Sequence, residues 1–306
     1  MIHELWHVKQ EKFGHPVACY FCNSHLDERD GRIWIQMELK ALAKAILEKE
    51  ETIRSTYLKD ALTFRYKRRS LYPDMVAKEN EMEMHEGMAN YTGYKIAGYE
   101  DMWEAMSKSA LVKYESFVAQ FAYNTTPIYG TILDDLGVKW FDKITYQSDI
   151  ASYLMKYYKY DIEKISSDFH LKESCSRFDC EEIIKSENAV SEKKKNLVEK
   201  LKSELQIDAL VIEVDSTTAF GFDPSQITES KSLDGTILVE GMILTKDGML
   251  EFSRPLLWKS DVVLIPWDNA KRENSKITSE KWEYNLKAAD FDLEVDGNLH
   301  VIKKKH

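Results

Sequence analysis

The chain has 306 residues, of which 43% are hydrophobic and 31% are charged, and its formal net charge is -10. This composition predicts a globular protein that buries a real core, and the scarcity of glycine and proline favours long helices over an all-β body. The negative charge argues against nucleic acid as the main partner, because phosphate binding needs a basic surface. The sequence has no apolar run of about 18 residues, so it predicts no membrane span.

The first two thirds of the chain have helical spacing. Residues 3–12 form a predicted helix that Gly14 and Pro16 end, and a loop follows over 13–31. Apolar stripes at 35–46 and 53–65 then predict two helices, or one long bent helix, with a charged break between them. Further helices are predicted at 74–96, 99–111, 117–123, 128–136, 148–160 and, with a polar surface, over 160–205.

The periodicity changes at about residue 207. An apolar run at 209–214 predicts a strand, and two hairpins are predicted around the Asp-Gly turns at 247–248 and 296–297. We therefore expect an α+β fold with a mostly helical domain over 1–205 and a β-rich segment over 206–306.

The most informative stretch is His3-Glu4-Leu5-Trp6-His7, which matches the H-E-x-x-H pattern of zinc metallopeptidases. On a helix, His3 and His7 project from one face and can share one metal ion. Glu4 lies about 100° around the helix, where it is suited to deprotonate a water molecule. The pattern predicts Zn²⁺ as the cofactor.

A catalytic zinc site needs a third protein ligand, and the best candidate is Glu86. The small residues Gly87 and Ala89 follow it, and we expect them to let its helix pack closely against the motif helix. Glu79 and Glu83 lie near the same face, where they could accept hydrogen bonds from the imidazole rings. The alternative ligands on this helix are Glu79, Glu81, Glu83 and His85.

The pattern H-E-x-x-H followed later by Glu-Gly-x-Ala-x-Tyr resembles that of the gluzincin metallopeptidases. The run at 85–93 is similar to that of a bacterial subgroup in which a long helical insert separates the two motifs. Phe-Ala-Tyr at 121–123 and Pro-Ile-Tyr-Gly at 127–130 add to the resemblance, which covers about residues 3–135. It implies a zincin-like body with His3, His7 and Glu86 as ligands.

The resemblance also implies an activity, the hydrolysis of peptide bonds in a peptide or protein substrate. Glu4 would act as general base and then pass the proton to the leaving amine. A tyrosine hydroxyl commonly stabilises the oxyanion in gluzincins, and Tyr129 is the first candidate for that role, with Tyr123 the second. The alternatives are a non-catalytic interaction protein and a metal hydrolase that acts on another amide or ester.

The motif begins two residues after Met1, whereas a β-sheet precedes the motif helix in zincins. Either the natural protein is longer, or this chain is an inactive or catalytically weak remnant. In both cases we expect weaker metal retention, because the first turn of a helix frays.

The four cysteines form the spacings C-x2-C at Cys19 and Cys22 and C-x4-C at Cys175 and Cys180. A structural zinc site is one interpretation, if the two pairs meet in space. Unlinked thiols or one or two disulfides are favoured over it, because the second spacing is loose for zinc.

Overall fold

A computed structural model describes residues 2–12, 18–19, 22–98, 101–223, 227–287 and 291–304. The chain is 53% helix and 19% strand, with the helices in the N-terminal part and the strands in the C-terminal part, which confirms the α+β class. Contacts between Cα atoms divide it into two compact units, Met1–Ala189 and Val190–His306. The boundary lies inside the last helix, Cys180–Ile207.

The first unit is helical, and its elements follow the predicted order. The α-helices are α1 (Ile2–Lys12), α2 (Arg29–Leu47), α3 (Glu51–Leu71), α4 (Val76–Met82), α5 (Met88–Ala97), α6 (Met102–Ala110), α7 (Ala122–Asp135), α8 (Ala151–Tyr158), α9 (Ile162–Ile165), α10 (Asp168–Cys175) and α11 (Cys180–Ile207). Helices α2 and α3 are separate, so the alternative of a single bent helix is wrong. Their apolar stripes bury residues such as Ile35, Leu39 and Leu62 in one core.

Helix α7 differs from the prediction. We expected two short helices at 117–123 and 128–136, but one helix runs from Ala122 to Asp135 with Pro127 inside it. A proline in a helix leaves the carbonyl four residues before it without its usual donor. Here that carbonyl belongs to Tyr123, and it accepts a hydrogen bond of 2.6 Å from the Asn90 side chain. The helix continues through the proline because a neighbouring helix satisfies the freed carbonyl.

The second unit contains two sheets. The strands are β1 (Ala209–Glu213), β2 (Ala219–Gly221), β3 (Thr228–Ser230), β4 (Gly235–Leu238), β5 (Gly241–Leu244), β6 (Gly248–Phe252), β7 (Leu256–Lys259), β8 (Val262–Pro266), β9 (Lys271–Glu273), β10 (Lys276–Thr278), β11 (Trp282–Leu286), β12 (Phe291–Asp296) and β13 (Leu299–Lys304). One sheet has the order β12-β13-β1-β8-β7-β4-β3, and the other has the order β2-β5-β6-β11-β10-β9. Both predicted hairpins are present, as β5–β6 and β12–β13.

Alternating side chains explain how the larger sheet is buried. Leu210 of β1 belongs to a core that also contains Leu250 of the other sheet, so the two sheets pack face to face. Ala209, one residue earlier, belongs to a second core with Leu201 and Leu205 of α11. The C-terminal part of α11 therefore covers the outer face of this sheet.

The cysteines pair locally, as Cys19–Cys22 and Cys175–Cys180. This agrees with the disulfide interpretation rather than with a zinc site shared by the two pairs. Among the helices that the structure describes, none has the length and apolar character needed to cross a bilayer.

Candidate metal centre

His3, His7 and Glu86 come together at the interface of α1 with the helical stretch that carries Glu86. One ligand atom of each residue lies within 4.8 Å of the other two, in the single such group among the described residues. His3 Nε2 lies 3.1 Å from His7 Nε2 and 3.2 Å from Glu86 Oε2, and His7 Nε2 lies 3.7 Å from that oxygen. The three predicted ligands thus share one site, although Glu86 lies 79 residues after His7 in the sequence.

These distances fit a tetrahedral zinc site. Zinc–nitrogen and zinc–oxygen bonds of about 2.0–2.2 Å place neighbouring ligand atoms about 3.3 Å apart. Two imidazoles and one carboxylate are also the donor set of one class of catalytic zinc site, in which the fourth position stays open. The residues present therefore fit the metal that the motif indicates.

His7 has a partner that fixes its orientation. Its Nδ1 atom lies 2.8 Å from Oε1 of Gln10, one helical turn further along α1. The amide nitrogen of Gln10 donates to the backbone carbonyls of Met84 and His85, at 2.8 and 2.9 Å. Because the nitrogen is engaged there, the oxygen faces His7 and accepts from its Nδ1–H, which leaves the lone pair on Nε2, the atom that faces His3 and Glu86.

Glu86 lies in a π turn, Glu83–Gly87, between α4 and α5. The Met88 amide bonds the carbonyl of Glu83, five residues earlier, instead of the residue four positions before it. Such a turn adds one residue to the helix, and it is frequent at functional sites. The insertion was not predicted, because the sequence reads as one continuous helix over 74–96.

Gly87 has a different neighbour from the one we expected. A Cβ atom on Gly87 would lie 2.2 Å from Thr126 Oγ1 and 2.8 Å from the Ala122 carbonyl oxygen. Both belong to α7, so the small residue brings the π turn close to α7 and not to the motif helix. The prediction that Gly87 lets the motif helix approach was wrong.

Tyr123, on α7, lies against the cluster. Its hydroxyl donates a hydrogen bond to Glu86 Oε2, the oxygen that faces the two histidines. Its ring stacks on the ring of His3, with centroids 5.7 Å apart and an angle of 8° between the planes. Tyr123 was the second candidate for the oxyanion donor, and it is the one that touches the site.

Tyr129, the first candidate, does not reach the cluster. It is fully buried, and its hydroxyl donates to Glu38 Oε1 at 2.9 Å. Burial and the nearby charge of Glu38 raise the pKa of Tyr129 well above its usual range. A substrate cannot reach this hydroxyl, which corrects the first choice.

His85 and Glu4 complete the predicted set. His85 Nε2 lies 3.4 Å from Glu86 Oε1, so this rival ligand contacts the carboxylate from its other side. Its ring also lies beside that of His7, at 4.7 Å between centroids. Glu4 lies in the first turn of α1, and its side chain is exposed to solvent.

Glu79 and Glu83 do not accept hydrogen bonds from the ligand histidines, contrary to the expectation. Glu79 binds Arg68 and Arg69 at 2.8 and 2.9 Å, and Glu83 binds Arg65 at 2.9 Å. We call these residues and their partners the arginine network. Its members are Glu38, Arg65, Arg68, Arg69, Glu79, Glu83 and Asp149.

The arginine network is buried and charged. Arg65, Arg68, Glu38 and Glu83 are each 0% exposed. Burial raises the pKa of Glu79, but the charges of Arg68 and Arg69 and the hydrogen bonds from Arg68 and His25 together outweigh it and hold that pKa well below the usual range. All three arginines come from α3, which therefore fixes the helical stretch that leads into the π turn.

Two contributors to the site were missed at the sequence level. Gln10 lies three residues after His7, so helical spacing alone could have placed it beside His7. No sequence pattern indicated Asn90, which donates a hydrogen bond to the Tyr123 carbonyl, because that role depends on Pro127 in another helix. Comparisons with protein-family models, with curated proteins and with solved structures find no match to this chain.

Proposed function

We propose that this chain is a zinc-dependent hydrolase, and specifically a metallopeptidase. The observation that carries the proposal is the convergence of His3 Nε2, His7 Nε2 and Glu86 Oε2 within 4.8 Å. The donor set, the distances between ligand atoms and the H-E-x-x-H order all support it. Peptides are the proposed substrates because the motif pattern resembles that of gluzincins.

In this proposal His3, His7 and Glu86 hold the ion. When bound, zinc supplies Lewis-acid chemistry that polarises a carbonyl and makes water a nucleophile near neutral pH. Glu4 accepts the proton of the attacking water on its carboxylate and then gives it to the leaving amine. Its exposed position in the first turn of α1 leaves it accessible to water and substrate.

Tyr123 is the proposed oxyanion donor. Its hydroxyl already lies at the ligand oxygen of Glu86, and an O–H group in that place can donate to a carbonyl oxygen as negative charge develops on it. Its stacking on His3 fixes the ring, so that the hydroxyl needs little reorganisation to change acceptor.

The general base is the role that distinguishes an enzyme from a metal-binding scaffold. We expect wild-type protein loaded with zinc to cleave members of a peptide library, and Glu4→Gln to lower the rate by about 10²–10⁴-fold. Zinc content should stay equal in the two proteins, because Glu4 is not a ligand. Hydrolysis that survives Glu4→Gln would refute the mechanism, and a zinc-loaded wild type that cleaves nothing would refute the activity.

A further inference from the structure

We propose that Gln10 is a positioning residue that couples the two halves of the metal centre through a single side-chain amide. This inference deepens the proposed function and rests on the same site. The Gln10 side chain is 2% exposed and spans from α1 to the π turn, across 74 residues of sequence. Each of its two polar atoms has a separate task.

The oxygen of the amide determines which nitrogen of His7 is free. A neutral imidazole has one N–H and one lone pair, and the partner of one nitrogen decides the state of the other. Gln10 Oε1, at 2.8 Å from His7 Nδ1, can only accept, so the proton is on Nδ1 and the lone pair on Nε2. His7 Nε2 is the atom that lies beside His3 and Glu86.

The nitrogen of the amide determines where Glu86 lies. It donates to the carbonyls of Met84 and His85, the two residues that directly precede Glu86 in the π turn. In a π turn the carbonyls do not have their usual α-helical donors, so an external donor at this point stabilises the irregular backbone. The same bonds hold α1 at a fixed distance from the residue that supplies the third ligand.

Glutamine is suited to this position because it has a donor and an acceptor on one group. A glutamate would keep one oxygen as the acceptor for His7 but would place its other oxygen, which cannot donate, against the carbonyls of Met84 and His85. A methionine of similar length would keep neither function. Gln10→Glu therefore removes only the donor, whereas Gln10→Met removes both the donor and the acceptor.

The first test measures zinc affinity. We expect Gln10→Met to raise the zinc dissociation constant by about 10–100-fold, the usual effect of removing the hydrogen-bond partner of a ligand histidine. Gln36→Met is the matched control, because the Gln36 amide nitrogen also has two acceptors, the Arg32 carbonyl of α2 and the Glu187 carboxylate of α11, away from the metal centre. Equal dissociation constants in wild type and Gln10→Met would overturn the proposal.

The second test detects the tautomer of His7 by ¹⁵N NMR in metal-free protein, at a pH where the imidazoles are neutral. We expect the proton on Nδ1 in wild type and in Gln10→Glu, and a mixture of tautomers in Gln10→Met. A residue with a purely structural role would not move this signal. An unchanged tautomer in Gln10→Met, in protein that unfolds at the same temperature as the control, would overturn the proposal.

The two tests separate this inference from the proposed function. If wild type binds no zinc, the proposed function fails, whereas the tautomer measurement still reports on Gln10. If wild type binds zinc and either Gln10→Met readout matches wild type, the proposed function stands and the inference fails.

Discussion

Two groups of carboxylates on one helical stretch have opposite surroundings. Glu79 and Glu83 face α3, where arginine side chains bind them in the arginine network. Glu86, one turn further on, faces the imidazoles of His3 and His7 and the hydroxyl of Tyr123. All three carboxylates are buried, at 1% exposure or less.

The difference between these surroundings indicates which carboxylate is suited to bind a metal ion. A buried charge is stable when an opposite charge with good geometry lies beside it. For Glu79 and Glu83 the protein supplies that charge as guanidinium groups. Around Glu86 it supplies imidazole rings, which are ligands that zinc sites use, so under the proposed function a divalent cation would supply the opposite charge.

The largest expected effect of a substitution is on the arginine network. Arg65→Met removes the cation that binds Glu38, Glu83 and Asp149, at 3.1, 2.9 and 3.1 Å. Breaking a buried ion pair from one side costs about 3–5 kcal/mol, so we expect a loss of that order in the free energy of unfolding.

Urea unfolding measures this loss. Lys108→Met is the control, because it breaks an exposed pair with Glu104 that contributes about 1 kcal/mol or less. If the network stabilises the fold, Arg65→Met should lower the free energy of unfolding far more than Lys108→Met does. Equal losses would mean that the arginine network does not stabilise the fold more than an exposed ion pair does.

The next largest effect separates the two tyrosines. We expect Tyr123→Phe to lower the rate of peptide hydrolysis at saturating zinc by about 10²–10³-fold, because it removes one oxyanion donor. Tyr129→Phe should leave the rate unchanged and lower the free energy of unfolding by about 1–3 kcal/mol, because Glu38 loses a buried donor.

Steady-state kinetics and urea unfolding on both variants give the comparison. A rate loss in Tyr129→Phe without one in Tyr123→Phe would favour Tyr129 as the oxyanion donor and contradict the proposed role of Tyr123.

We expect acidic pH to destabilise the arginine network by protonating Glu79 and Asp149. Burial raises the pKa of Asp149, but Arg65 and Arg69 lower it by more, and the pKa of Glu79 is likewise below its usual range. In the unfolded chain an aspartate has a pKa of about 3.9 and a glutamate a pKa of about 4.3, and both values are higher than those in the folded protein. The unfolded chain therefore binds more protons at acidic pH. The stabilisation is therefore complete above the unfolded values and is lost as the pH falls through the folded ones.

Unfolding free energies measured between pH 7 and pH 3 test this. Each carboxylate that takes up a proton on unfolding contributes about 1.4 kcal/mol per pH unit. We expect the slope to decrease in Glu79→Gln, which has no proton to bind at that position. A pH-independent stability over this range would contradict the depressed pKa values.

Much of the fold followed from the sequence because its signals are local. The apolar stripes of α2 and α3, the change of period near residue 207 and the Asp-Gly turns each depend on neighbouring residues. The spacing of His3 and His7 selected two residues that the structure brings together, and it needs only the geometry of a single helix. Glu86 was selected as their partner through the small residue after it, although that residue packs against α7 and not against the motif helix.

The remaining features depend on contacts between distant segments. Tyr123 and Tyr129 lie on one helix, and the packing of α7 decides which of them meets Glu86. Gly87 is small because of Thr126, which no pattern around Gly87 indicates. Arg68 and Arg69 stand with Lys67 in a short basic run that by itself is typical of a solvated helix face, and only the fold reveals the buried carboxylate partners of the two arginines.

The measurement that tests the central claim most directly is a zinc titration, monitored by isothermal calorimetry, of wild type, Glu86→Ala and Glu81→Ala. Glu81 lies on the same helical stretch, where it pairs with Lys78 at 2.8 Å, and it serves as the control. We predict one zinc ion per chain in wild type and in Glu81→Ala, and loss of that binding in Glu86→Ala. Equal zinc binding by all three proteins, or none by wild type, would contradict the account.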